Sequence, residues 1–180
     1  VKSEARTAAA SPANVLITGE SGTGKELFAQ AIHNASPRFA GPFVPISCGG
    51  FSRETVDSIL IGTEKNPGKF IQADGGTLFL DGISEMSQDM QSFLLRFLED
   101  GIVTPIGSRR SVQTDVRVIS AAGSEVLQKV KDGSFRLDLY YRLNVLRIDL
   151  PPLRERQADM QELSNYFVTL LSAGYGKNIF

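Results

Sequence analysis

The sequence predicts an α/β fold: a five-stranded parallel sheet sandwiched by helices in three layers. Short apolar runs alternate with amphipathic segments along most of the 180 residues, the pattern of strands joined by crossover helices. The first run, VLIT (15–18), leads directly into a glycine-rich loop that opens a helix. A later run, TLFLD (77–81), ends in an acid, and the residue after that acid is Gly82.

Residues 1–11 (VKSEARTAAAS) are small and polar and fit either a linker or a helix continuing from an upstream domain. The domain division takes 1–12 as linker. VLIT is a short buried strand, and the helix after its loop carries Leu27, Phe28, Ala31 and Ile32 on one stripe. FVPIS (43–47) reads as the second strand and 54–60 as a short helix. Strand 77–81 precedes a helix opened by Ser87, with Met90, Phe93, Leu94, Phe97 and Leu98 inward and Gly101 at its end. DVRVISAA (115–122) is the fourth strand, and SEVLQKV and FRLDLYYRL are helical. VLRIDL (145–150) is the fifth strand, stopped by Pro151-Pro152. From Asp159 to Ala173 an amphipathic helix is expected, with Met160, Leu163, Phe167, Leu170 and Leu171 on one face.

A hydrophobic content of 42% suffices for one globular domain with a core. The net charge of −1 leaves no electrostatic footprint of nucleic-acid binding. Cys48 is the single cysteine, so no internal disulfide forms, and without a signal peptide the chain reads as cytoplasmic. No apolar run approaches the length of a membrane span.

The loop GESGTGKE (19–26) matches G-x-x-x-x-G-K through Gly19, Gly24 and Lys25. Its glycines let backbone N–H groups turn toward one phosphate, and the helix N-terminus adds partial positive charge. Lys25 reaches the β- and γ-phosphates as a point charge. Glu26 stands where Ser or Thr is usual, so magnesium must be held otherwise, through water. Asp81, at a strand end, is expected to orient Mg2+ or its water shell. Alone it would read as a turn cap; beside the loop the metal role is favoured. The expected nucleotide contacts are Gly19, Glu20, Ser21, Gly22, Thr23, Gly24, Lys25, Glu26 and Asp81, with ATP or ADP and Mg2+ as cofactors.

Six stretches together resemble the central AAA+ domain of the sigma-54-dependent activators, the bacterial enhancer-binding proteins. They are LITGESGTGKELFAQAIHNASPR, ADGGTLFLDGISEMS, LLRFLEDG, DVRVISAA, FRLDLYYRLNV and LPPLRER, covering about residues 12 to 172 in the family's order. The resemblance implies a P-loop NTPase subdomain over 13–157 and the beginning of a helical lid over 158–180. It implies a ring with ATP between subunits, whose hydrolysis remodels the sigma-54 RNA polymerase holoenzyme. Gly19 to Glu26 become the Walker A motif and Asp81 the Walker B aspartate. Arg136 and Arg142 match the arginine fingers that act on a neighbouring subunit's γ-phosphate, a contribution worth about 10³–10⁵ in rate. The plainer reading pairs Asp138 with Arg142 along a helix. Six residues are about 240° of helix, so the two arginines cannot share one face.

The departures from the family bear on function. Its Walker B glutamate falls on Gly82, which cannot take a proton from water, and general-base assistance is typically worth about 10²–10⁴. The asparagine that holds this glutamate is Ser47, and the Thr-Asn sensor reads Ala122-Gly123. Glu85 is the obvious rescuer, yet the family commonly carries an acid there as well, so it reads as structural. Glu64 and Asp74 are weaker candidates. The surface loop bearing GAFTGA is missing: LIGTEKNPGKFIQADGG leaves room for little more than a turn. Members without that loop regulate other promoters or repress, and this chain resembles that divergent subset.

The remaining residues have plain readings. His33 packs or lies at the surface, Cys48 is a small buried hydrophobe, and Arg109-Arg110 cap a solvated hairpin. Tyr140-Tyr141 belong to core and interface. The expected function is an ATP-binding domain of a transcriptional regulator whose occupancy controls oligomerisation while hydrolysis is weak or absent. Two alternatives stay open: a working ATPase with another base, and a vestigial assembly domain that binds, for example, a cyclic dinucleotide. Partners are other copies of the chain, RNA polymerase holoenzyme, and DNA through a domain outside these residues. The chain is expected to be a fragment or a truncated protein.

Overall fold

The computed structural model describes residues 2–49 and 58–175, and the chain divides into two compact units, Val1–Leu150 and Pro151–Phe180. The first contains strands β1 (Val15–Thr18), β2 (Phe43–Ser47), β3 (Thr77–Asp81), β4 (Ile102–Val103), β5 (Val112–Gln113), β6 (Arg117–Ala122) and β7 (Leu146–Asp149). Five of them form a parallel sheet in the order β2-β3-β6-β1-β7, and β4 and β5 form a separate hairpin. Pro45 cannot donate to a ladder, and it lies in β2, the strand at one edge of the sheet.

Because side chains alternate across a strand, each central strand feeds two cores. Leu16, Leu78, Leu80, Val118 and Ala122 enter one; Val15, Ile17, Phe79, Ile119 and Ala121 enter the other. Helices α1 (Lys2–Ala10) and α2 (Lys25–Asn34) cover the second face. The first is covered by α3 (Lys69–Gln72), α4 (Gln88–Asp100), α5 (Val126–Lys131) and α6 (Leu137–Leu143). This is the expected three-layer sandwich. Helix α4 behaves as its caps predict: Ser87 Oγ accepts from the Met90 N–H, and Gly101 closes it at φ 68°.

Two expectations change. Residues 1–11 take the helical option rather than that of a linker: Ala8 and Ala9 are buried, and the Arg117 guanidinium donates to the Ala8 and Ala13 carbonyls. The apolar stripe of α2 is turned by one residue. Ala29, Ile32 and His33 face the core with Phe28 half-buried, whereas Leu27 is 73% exposed. The phosphate loop fixes where this helix starts, and a one-residue offset is about 100° of rotation.

His33 is buried, with Nδ1 2.9 Å from the Thr77 hydroxyl. Burial lowers its pKa below the usual 6.5, more than a hydrogen bond with the Gly41 backbone raises it, and the Arg117 charge adds to the lowering. The packing role expected of it holds. Residues 54–57 of the expected short helix lie outside the described residues; 58–60 are helical. In the second unit α7 (Gln157–Tyr175) follows a turn at Leu153–Glu155, and Met160, Leu163, Phe167 and Leu170 are exposed in this structure. No helix among the described residues is long and apolar enough to cross a membrane.

Candidate functional site

The carboxyl edge of the sheet brings the sequence-separated candidates together. Ser47 pairs with Asp81, Asp81 with Ala121, and Thr18 with Ala122 in register. The amide after each strand continues the ladder: Gly19 N–H donates to Ala122 O, Gly82 N–H to Ala121 O, and Cys48 N–H to Asp81 O. A cleft of about 270 Å³ opens here, lined by Ser21 and Lys25 from the loop and by Ser47, Asp81, Gly82, Ala122 and Gly123 from the strand ends. Thus the three family departures and Asp81 share one wall.

The loop turns sharply before α2. Gly22 and Gly24 take φ of 78° and 88°, a left-handed backbone that glycine alone adopts without strain, and Gly24 precedes the first turn of α2. Thr23 is buried and donates its hydroxyl to the Glu20 carbonyl. Lys25 Nζ donates to the Gly19 carbonyl at 3.0 Å and to Glu20 at 2.9 Å, which holds its charge at the mouth of the loop. Glu26 lies exposed in the first turn of α2. Among the described residues no group of three or more His, Cys, Asp or Glu could hold a metal. A cation here would need ligands from a phosphate, which suits Mg2+, an ion that keeps waters and takes one or two carboxylates.

Three cleft residues escaped sequence reasoning: Gly49, Ser84 and Glu125. Ser84 Oγ donates to Glu125 Oε1 at 2.7 Å, and Lys129 Nζ donates to the Ser84 carbonyl at 2.8 Å. The Ser84 hydrogen bond, aided by Lys129 and opposed by partial burial, holds Glu125 below the usual carboxylate range. Glu125 follows the sensor glycine by two residues, the one signal in the sequence that could have found it. Glu85 also lines the cleft. Cys48 is buried, and desolvation first, then the Asp81 and Glu85 charges, push its thiol up to about 12. It is inert at neutral pH, as expected.

Neither arginine candidate lines this cleft. Arg136 caps α6 and reaches both oxygens of Asp138, at 3.0 and 2.7 Å. The pairing expected between Asp138 and Arg142 is therefore replaced by one with Arg136. Since Arg136 precedes the helix, the rotation argument separating the two arginines does not apply. Arg142 is exposed and donates only a long 3.4 Å bond to the Leu98 carbonyl among those described. Arg109 and Arg110 are exposed beyond β4 in the hairpin, Tyr140 is core, and Tyr141 is 65% exposed. Glu64 is exposed on a tight turn in which Thr63 and Asn66 exchange backbone hydrogen bonds, flanked by a Gly62–Pro67 bridge. Asp74 accepts from the Asp115 N–H, a structural role.

The strand order, the phosphate loop and the strand-end acid define an AAA+ P-loop NTPase fold. The chain belongs to the family of sigma-54 interaction domains, whose model matches residues 1–149. It is 46% identical over 189 residues to a "Signal-transduction and transcriptional-control protein" of Clostridium beijerinckii, covering 99% of this chain and 30% of that protein. It is 45% identical over 172 residues to the DNA-binding transcriptional regulator NtrC of Escherichia coli K12, covering 91% and 37%. The chain thus spans about a third of the length of these curated relatives. The first alignment is longer than the 180-residue chain, so that relative carries residues this chain lacks. A solved structure of NtrX from Brucella abortus in complex with ATP matches with a TM-score of 0.92 and 34% identity, covering 98% of this chain and 42% of that one.

Proposed function

We propose that this domain binds ATP with Mg2+ in the strand-edge cleft, hydrolyses it slowly, and uses occupancy to set its self-association in a transcriptional regulator. The observation that carries this reading is Lys25, held at the mouth of an anion-receiving loop with Asp81 across the same cleft. Gly19 to Glu26 would cradle the phosphates through backbone N–H groups, and Asp81 would orient Mg2+ through water. The likeness to an ATP-bound NtrX supports ATP over a cyclic dinucleotide. Bound Mg2+ would supply charge neutralisation on the phosphates.

Slow hydrolysis follows from Gly82, Ser47 and Gly123, which leave the ends of three strands without base, holder or sensor side chains. The short turn at 63–66 supports a subset that does not use the GAFTGA loop on sigma-54, and the longer Clostridium relative is in keeping with a deletion. Arg142, exposed and away from its own cleft, is the better candidate to reach a neighbour's γ-phosphate; Arg136 would first have to leave Asp138. The helix Gln157–Tyr175 would begin the lid. DNA and RNA polymerase would be met through the regulator as a whole.

The test is light scattering of the protein without nucleotide, with ADP–Mg2+ and with ATP–Mg2+. A larger assembly with ATP, reduced by Arg142→Ala, is expected. An identical mass in all three conditions would remove occupancy as the control of assembly.

A further inference from the structure

At the strand-end cleft two carboxylates lie directly against glycines. A Cβ built on Gly49 would stand 1.9 Å from Glu85 Oε2 and 2.8 Å from its Cδ. Only glycine there admits this carboxylate; any larger residue would push it aside, since its end is flexible. The same relation holds across the cleft, where a Cβ on Gly123 would meet Glu125 Oε2 at 2.0 Å. Glu85 Oε1 lies 3.7 Å from the Cβ position of Gly82, about as far as a glutamate's own carboxylate oxygens reach from its Cβ. Gly82 itself takes φ 71°, so a side chain there would be strained by about 1–2 kcal/mol, whereas Glu85 approaches from an unstrained turn, Ile83–Glu85.

We propose that Glu85 is the residue that activates water for the slow turnover of this site, in place of the acid missing at position 82. This rests on the reading that the cleft binds ATP. The Glu85 carboxylate accepts a proton from a water molecule as the water oxygen bonds to the γ-phosphorus. The bond from that phosphorus to the β–γ bridging oxygen breaks, and its electron pair stays on the β-phosphate of ADP. Inorganic phosphate leaves, and Glu85 returns its proton to solvent. Glu125, tied to Ser84 and near Lys129, is held away from this task and instead closes the wall at the sensor position.

Two substitutions separate the carboxylate's presence from its position. Glu85→Gln removes the base, and Gly49→Ala keeps it but displaces it. In single-turnover phosphate release by the ATP-loaded protein, Glu85→Gln is expected to lower the rate by about 10²-fold, with Gly49→Ala following in the same direction. Glu64→Gln, on the exposed turn, serves as the control with an unchanged rate. Calorimetry gives an independent readout: affinity for ATP–Mg2+ stays within about twofold, while affinity for ADP with aluminium fluoride, which mimics the attacked phosphoryl group, falls in both cleft variants. If ATP binds and Glu85→Gln releases phosphate at the parent rate, or the parent releases none, this proposal is overturned and the binding site stands. If no ATP binds, both fall together.

Discussion

Replacing Lys25 with alanine is expected to weaken ATP binding by about 10²-fold while leaving the fold intact. A charge-assisted hydrogen bond is worth about 1.5–3 kcal/mol, and each 1.4 kcal/mol is a factor of ten in affinity. The ammonium is held by the carbonyls of Gly19 and Glu20, so it can turn to phosphate without rebuilding the backbone. The bond to Glu20 is exposed, so water can take the place of the lysine there. The stability cost is accordingly expected to be small. Titration calorimetry beside urea unfolding checks both halves. An affinity within about threefold of the parent would mean that the phosphates lie elsewhere.

The second large effect is expected at Phe70. Its side chain is fully buried, with ring centroids 5.3 Å from Phe93 and 4.3 Å from Phe97 on α4. It stands on α3, shortly after the tight turn at Thr63–Asn66. The turn is therefore anchored to the core and is part of the fold. Phe70→Ala should cost about 3–5 kcal/mol, read as a lower urea midpoint at constant slope. A loss below about 1 kcal/mol would mean that this aromatic cluster adds little and that the short turn is tethered by its backbone alone.

The sheet and its site were legible for a physical reason. Apolar strands flanked by turn residues determine where strands end, and in a parallel sheet all carboxyl ends meet at one edge. Gly19–Lys25, Asp81 and the departures at Ser47, Gly82 and Gly123 therefore had to be neighbours. What stayed hidden depends on rotation or on contacts between distant residues. The loop sets the phase of α2, so Leu27 points outward although its periodicity fitted the core. Asp138 chose Arg136 because that residue caps the helix instead of riding on it. Ser84 and Glu125 are 41 residues apart and no single motif holds both, so only the fold could join them. Glu85 looked structural because its acid is ordinary in the family, and its place against Gly49 is a contact that only the fold reveals.

Single-turnover phosphate release after loading with ATP and Mg2+ reads out whether the proposed site holds ATP but spends it slowly. Stoichiometric loading is expected, followed by release about 10²–10⁴-fold slower than in a family member with glutamate after its strand-end aspartate. Release as fast as in that member would contradict it, as would failure to load.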